Sequence, residues 1–376
     1  MKKLTVVIVS YNVRYYLEQC IVSVQRAAQD IDYEIYVVDN DSRDDTVRYV
    51  TKRFRDEVNL VESQHNLGFA RANNIAIRQS ESEYVLLLNP DTLISEDSLR
   101  QVITFMDEHP KAGGVGVKMF NSNATIARES RRGLPTPWVS LQKMMGFSRR
   151  YYLSDLPWDQ PAQIEVMSGA FCMLRRDVLN KIGLLDKDFF MYGEDIDLSY
   201  RILKGGFENW YVPASIVHYK GESTQKSSYR YVHVFYQAML IFFRKHYGHL
   251  SLLVTLPIKL AIYGRAFLAL IRMQYDRLRQ SLGFTREGRA DMQYLFVGSQ
   301  RMLDECRQLA RRRALAATFL PVGEPVVTQP GLCVVYDLES FSFSQVISMA
   351  AEHQNAVIGT YNPQTRILIT PMEIIQ

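Results

Sequence analysis

Cysteine is scarce in this chain. Its four cysteines, Cys20, Cys172, Cys306 and Cys333, lie far apart in 376 residues and form no CxxC pair. That argues against a zinc site and a disulfide framework, and it suits a reducing cytoplasm. The glycine signatures of nucleotide-binding loops are missing too: there is no GxGxxG and no GxxxxGKS/T stretch. "GGVGVKMF" from Gly113 lacks the third glycine and runs straight into a strand-like segment. A Rossmann dehydrogenase and a P-loop NTPase are both disfavoured. The start, "MKKLTVVIVSYN", has two lysines, then only six residues before Ser10, and no small-residue cleavage site. That is short for a signal-peptide core and reads as a first strand.

What is present is ordinary globular composition, 47% apolar and 22% charged, in a chain too long for one core. Two or three modules are expected. The net charge of +4 is uneven: residues 231–290 hold nine Lys/Arg and two Asp/Glu, a local +7, leaving −3 for the remainder. This basic segment is rich in Leu, Ile and Phe, so its charge suits an anionic membrane surface, with no nucleic-acid partner.

Strand-like and helix-like stretches alternate from the start. "LTVVIV" (4–9) is followed by Val13, Leu17, Ile21, Val24 and Ala28, a helix stripe with Asn12 as its expected cap. "YEIYVVDN" reads as a second strand, and "SRDDTVRYVTKRF" as a second helix with Ser42 and Asp45 at capping-box spacing. A helix over about 69–79 precedes the strand "EYVLLLN". Strands apolar on both faces between helices predict a covered parallel sheet, with ligands beyond the strands' carboxyl ends. Those ends carry Ser10-Tyr11-Asn12, Asp39-Asn40-Asp41 and Asn89-Pro90-Asp91. One Asp after a strand, as in "LLLNPDT", is by default a turn residue. Three polar clusters at three strand ends read as one site.

Together "VVIVSYN", "VVDNDSRDDT", "HNLGFARANN", "LLLNPDT", "MSGAFCMLRRDVLNKIGLLDKDFFMYGEDIDLSYRILKGGF" and "VPASIVHYKGES" resemble family-2 glycosyltransferases with the GT-A fold, over about residues 4–223. The NPD form, in place of DxD, looks most like the bacterial rhamnosyltransferase-type branch. The resemblance implies an α/β fold with a Rossmann-like mixed sheet sandwiched by helices. It also implies an inverting transfer of a sugar from a nucleoside diphosphate (dTDP- or UDP-sugar, with dTDP-rhamnose a candidate) to a hydroxyl, with Mg²⁺ or Mn²⁺.

Carried over residue by residue, the resemblance gives Asp91 the metal-diphosphate and puts Asn89 at the first DxD position, where an amide ligates less strongly than a carboxylate. His218 corresponds to a histidine that completes the metal site in some relatives; a hydrogen-bonded histidine at a strand end is the plainer alternative. Asp39 would accept the imide N–H of uracil or thymine, or else cap the helix after Ser42. Ser10, Tyr11, Asn12 and Asn66 fall in the nucleotide-sugar segments, Gly68 permits a tight turn, and Arg71 is either near the diphosphate or a surface charge. In "YGEDIDLSYR", Asp195 matches the general base and Glu194 an acceptor ligand or a neighbour that raises the base's pKa. Acids there also suit a helix start, and Asp197 and Arg201 are spaced for a helix salt bridge. Gly169 resembles the acceptor-side turn.

The chain divides into a catalytic domain at 1–230, a helical membrane-association segment at 231–290 and a small α/β module at 291–376. In "LSLLVTLPIKLAIYGRAFLALI" (250–271), twelve Leu, Ile, Val or Phe residues favour insertion by roughly 6 kcal/mol. Lys259 and Arg265 oppose it by roughly 5 to 7 kcal/mol. With Pro257 inside and basic residues at both ends, the segment reads as in-plane interfacial helices; Arg265, Arg272 and Arg279 recur every seven residues. A buried helical hairpin or a dimer interface is the alternative. The C-terminal module loosely resembles the nucleotide-binding-like domain of polyprenyl-phosphate sugar transferases. Val297-Gly298-Ser299 is its one candidate phosphate turn, and a docking module without ligand is the preferred reading. The expected whole is an enzyme on the cytoplasmic face of the bacterial inner membrane, acting on a lipid-linked glycan in cell-surface polysaccharide synthesis. The competing function is a catalytically silent nucleotide-sugar or glycan-binding scaffold.

Overall fold

A computed structural model describes residues 1–219, 229–248, 292–353 and 356–376, with scattered positions between 256 and 279. The first half alternates as the pattern predicts: β1 (Lys2–Ser10), α1 (Arg14–Ala27), β2 (Tyr33–Asp39), α2 (Thr46–Phe54), β3 (Asn59–Glu62), α3 (Phe69–Gln79) and β4 (Ser82–Leu88). There follow β5 (Thr92–Ile94), α4 (Ser98–Glu108), β6 (Ala112–Asn121), α5 (Pro137–Met144), β7 (Ala162–Ile164), β8 (Phe171–Arg175), α6 (Arg176–Ile182), α7 (Glu194–Lys204), β9 (Glu208–His218) and α8 (Tyr229–Tyr247). The sheet runs β3-β2-β1-β4-β8-β6-β9-β5, with β7 beside β9. It is parallel from β3 to β4 and turns antiparallel at β8, which pairs with both β4 and β6.

Period-two alternation sorts the strand residues onto two buried faces. Leu4, Val6 and Ile8 of β1 pack with Leu17, Ile21 and Val24 of α1 and Leu99, Val102 and Met106 of α4. Val7 and Val9 pack on the other face with Ala72 and Ile77 of α3, Val178 of α6 and Leu198 and Ile202 of α7. α8 closes on α7: Ala238 and Phe242 bury Phe189, and Lys245 Nζ and His246 Nε2 each lie 2.7 Å from Asp197 Oδ1. The start of the segment set apart at 231–290 thus packs on the catalytic domain. Most of 250–271, Arg265 included, lies outside the described residues. Among the described positions that follow, Leu256, Leu260, Tyr263, Phe267, Ile271, Tyr275 and Leu278 are helical and exposed. No helix of the described residues is long and apolar enough to cross a membrane.

The C-terminal sheet is built from β10 (Gln293–Gly298), β11 (Ala316–Pro321), β12 (Leu332–Asp337), β13 (Val357–Asn362), β14 (Ile367–Ile369) and β15 (Ile374–Ile375), with α9 (Gln300–Arg313) and α10 (Phe343–Glu352). β11 is a half-exposed edge strand, and β15, at the other edge, is two residues long. This sheet shares a core with the first. Tyr16, Leu93, Phe120, Val217 and Tyr219 pack with Tyr336, Phe343, Val346 and Ile369. Glu96, after β5, accepts from the backbone N–H of Phe343 and Ser344, both at 2.7 Å, and so caps α10 from the other domain.

Two cap expectations are corrected. α1 is preceded by Val13 with no side-chain cap; Asn12 is left-handed (φ 55°). Its N–H donates to Ser42 Oγ at 2.9 Å and its Oδ1 accepts from Arg43 N at 2.7 Å. Ser42 does not cap α2 either; that helix follows Asp45, again without a side-chain cap. Both side chains instead tie the β1 end to the β2 end.

Candidate active site

The residues expected on the nucleotide-sugar side gather at the carboxyl ends of β1 and β2, where Ser10 and Asp39 are register partners. Asp39 Oδ2 accepts from Ser42 N at 2.9 Å, while Asp39 Oδ1 and Ser10 Oγ are buried without a partner. An unpartnered buried carboxylate oxygen is costly unless a ligand donates to it. Burial raises the Asp39 pKa; Ser42 opposes this, and the charges of Asp44 and Asp41 add to it. Tyr11 is half-buried on the same loop. Asn40 donates to Asn66 Oδ1 at 3.1 Å and accepts from Leu67 N at 2.8 Å, so the loop after β3 is fixed to the end of β2.

Gly68 is required where it stands. Its φ is +78°, and a Cβ there would lie 2.3 Å from the carbonyl oxygen of Phe190, which accepts from Phe69 N at 2.7 Å. Arg71 is exposed and donates through Nε to Lys187 O at 3.1 Å. The loop after β3 and the start of α3 are therefore stitched to residues 187–190, just before "YGED".

"LLLNPDT" ends in a turn that brings Asp91 to His218. Thr92 N and Oγ1 donate to Asn89 O at 3.3 and 2.7 Å, and this reverses the chain into β5. β5 pairs antiparallel with β9, opposing Thr92 to His218. Asp91, 2% exposed, thereby lies with Oδ1 3.3 Å from His218 Nε2, and Asn89 Nδ2 is 3.3 Å from the same nitrogen. Among the described residues no three His, Cys, Asp or Glu side chains group as a metal cage. A carboxylate and an imidazole still fit Mg²⁺ or Mn²⁺ if phosphate oxygens complete the shell, as is usual for these ions at phosphates.

The acids of "GEDID" separate by environment. Asp197 is fully buried and held by Arg201 Nε at 2.8 Å as well as by α8, so it organises structure. Asp195, at the start of α7, is partly exposed; its Oδ1 accepts from Ile196 N at 2.8 Å and its Oδ2 from Gly169 N at 3.3 Å and Arg132 Nη2 at 2.5 Å. Glu194 is buried with Oε2 unpartnered. Burial first, then the charge of Asp195, pushes Glu194 up to about 8. Asn89 N donates to Ala170 O at 3.0 Å, so the Asn-Pro-Asp turn and Asp195 meet through the two adjacent residues Gly169 and Ala170.

Arg132 escapes sequence reading. It also donates to Met167 O, and the neighbouring charge of Asp195 favours its charged form against the cost of burial. Nothing in "RESRRGLP" marks it, because its partner is 63 residues away. In the C-terminal module, Asp337 Oδ2 accepts from Ser299 N at 3.0 Å and Ser299 Oγ at 2.8 Å. The chain's own carboxylate fills the turn after β10, the candidate phosphate position.

Residues 5–183 match the family model "Glycosyl transferase family 2". The chain is 25% identical over 261 residues to N-acetylglucosaminyl-diphospho-decaprenol L-rhamnosyltransferase of Mycobacterium tuberculosis, covering 64% of this chain and 83% of that one. It is 29% identical over 174 residues to the low-salt glycan biosynthesis hexosyltransferase Agl10 of Haloferax volcanii, covering 45% of this chain and 52% of the relative. Among solved structures, the mannosyltransferase PcManGT from Pyrobaculum calidifontis in complex with GDP-Man and Mn²⁺ aligns at 18% identity and a TM-score of 0.45, over 82% of this chain and 81% of that one. On the family match, and with a mixed sheet whose strand ends carry Asp39, Asp91 and the loop to Asp195, the chain carries a family 2 glycosyltransferase domain with the GT-A fold.

Proposed function

We propose that the chain is an inverting enzyme that moves a sugar from a dTDP- or UDP-linked donor, with dTDP-rhamnose a candidate, to a hydroxyl of a lipid-linked glycan. The observation that carries this reading is the pair of unpartnered buried oxygens, Ser10 Oγ and Asp39 Oδ1, at the same sheet edge as the Asp91–His218 pair. Asp39 would accept the base's imide N–H, with Asn12, Asn66, Gly68 and Arg71 shaping the nucleotide side. Asp91 and His218 would hold Mg²⁺ or Mn²⁺ against the diphosphate, where a divalent cation offsets the charge growing on the leaving group.

Asp195 takes the proton of the acceptor hydroxyl as its oxygen attacks the anomeric carbon and the bond to the diphosphate breaks. Three donors already bind Asp195, and a carboxylate offers about four lone-pair sites, so one remains for that proton. Glu194, neutral near pH 7, donates to an acceptor hydroxyl. The relatives' names support a membrane-linked acceptor, and the exposed apolar helix positions from Leu256 to Leu278 support attachment at the cytoplasmic face of an anionic membrane.

Calorimetry tests the donor side. Asp91→Ala should weaken metal-dependent binding of UDP or dTDP while leaving the free nucleoside little changed; equal diphosphate binding with and without Mn²⁺ in both proteins would return Asp91 to a turn residue. Asn89 in place of a carboxylate favours the second reading, a silent nucleotide-sugar-binding scaffold. Metal-dependent hydrolysis of a nucleotide sugar separates the two.

A further inference from the structure

The helix α5 is inside out. Its start is firmly specified: Thr136 Oγ1 accepts from Val139 N at 3.3 Å, and Pro137 occupies the first turn. A helix of a folded domain ordinarily turns its apolar stripe to the core. Here Val139 and Ser140 face inward, while Trp138, Leu141 and Met145, spaced by three and four, face outward with Phe147 just beyond. Their exposures are 63%, 39%, 56% and 69%.

The helix and the turn that follows it carry only basic charge. Residues 137–150 contain Lys143, Arg149 and Arg150 and no Asp or Glu. Arg149 is paired with Asp155, and Lys143 Nζ sits 3.3 Å from the ring centroid of Tyr151. An outward tryptophan and aliphatic side chains beside cations match the boundary of an anionic bilayer, where an indole sits at headgroup level and Lys and Arg meet lipid phosphate. A protein partner's apolar groove would not call for the cations.

This face lies one loop from the reacting centre. Gly133 N donates to Tyr151 O at 2.8 Å, and the Tyr151 side chain favours the charged form of Arg132, which holds Asp195. We propose that Trp138, Leu141, Met145 and Phe147 form a lipid-contact element, separate from the exposed apolar positions between Leu256 and Leu278, that seats the acceptor side of the active site on an anionic membrane. The proposal rests on the reading of a membrane-linked acceptor. It explains how an acceptor confined to the bilayer reaches Asp195: the helix that touches lipid is tied covalently to the arginine that positions the base.

The test uses the full chain and vesicles of phosphatidylcholine with phosphatidylglycerol, part of it brominated on the acyl chains. The wild type should be quenched by brominated lipid well beyond Trp138→Phe. Leu141→Asp combined with Phe147→Asp should lower vesicle partitioning at least tenfold and leave nucleotide-sugar hydrolysis in solution unchanged. Equal quenching of wild type and Trp138→Phe on vesicles that do bind the chain would overturn the α5 proposal and leave the membrane-surface reading standing. No vesicle binding at all would overturn both. Self-association without vesicles that the Asp pair abolishes, seen by analytical ultracentrifugation, would make the face a subunit contact and overturn the lipid assignment.

Discussion

Replacing Glu194 by Gln should make the protein more stable, and increasingly so as pH rises. In the folded chain this carboxyl is buried, faces the charge of Asp195 and titrates near 8, against an ordinary 4.5. Unfolding lets it ionise freely. Stability from this group is therefore full below about pH 4.5 and is lost as pH climbs toward 8. At about 1.4 kcal/mol per pH unit, the loss is about 3 kcal/mol at pH 7 and about 5 kcal/mol once both states are ionised. Gln keeps the shape and does not titrate. Urea unfolding of both proteins at pH 5 and pH 8.5 should show the variant's margin growing by about 4 kcal/mol between them. A margin equal at the two pH values would refute the reasoning, because it would mean that Glu194 is solvated or already ionised in the fold. The same substitution bears on catalysis. If the neutral acid donates to the acceptor, transfer by the wild type declines above about pH 8, and Glu194→Gln removes that alkaline limb.

Asp195→Asn should keep donor binding and lower the transfer rate by about 10² to 10⁴, the worth of general-base catalysis; transfer within tenfold of wild type would move the base elsewhere. Arg132→Ala should lower kcat with the donor KM unchanged, and Arg132→Lys should restore part of it, since the aim of Asp195 is disturbed. Gly68→Ala should cost about 2 kcal/mol or more in thermal unfolding, given a positive φ and the Phe190 carbonyl 2.3 Å from the new carbon. Burial acts to raise the Glu96 pKa, but the Ser344 hydroxyl and the Ser344 and Phe343 amides outweigh it and lower the value. That contribution is present above the ordinary glutamate range and fades as pH falls through it, so Glu96→Ala should loosen the C-terminal module at pH 7 and matter less in acid. Limited proteolysis at the two pH values measures it.

The sequence by itself determined the parts that depend on local pattern. Apolar runs alternating with helix stripes set the order of β1 to β4, and turn chemistry placed Asp39, Asn89 and Asp91 at strand ends. The resemblance then supplied their roles, together with that of Asp195. Tertiary structure alone decided which of these side chains face one another. His218 meets Asp91 only because the Asn-Pro-Asp turn sends β5 back along β9, a pairing of residues 127 apart in the chain. Arg132 and Asp195, Asp197 and His246, and Glu96 and the start of α10 are partners of the same kind, invisible to any spacing rule. The fates of the three acids in "GEDID" follow from burial, which composition does not encode. Burial and the charge of Asp195 push the Glu194 pKa up, Asp197 is paired with cations from its own helix and α8, and Asp195 stays partly exposed at the start of α7.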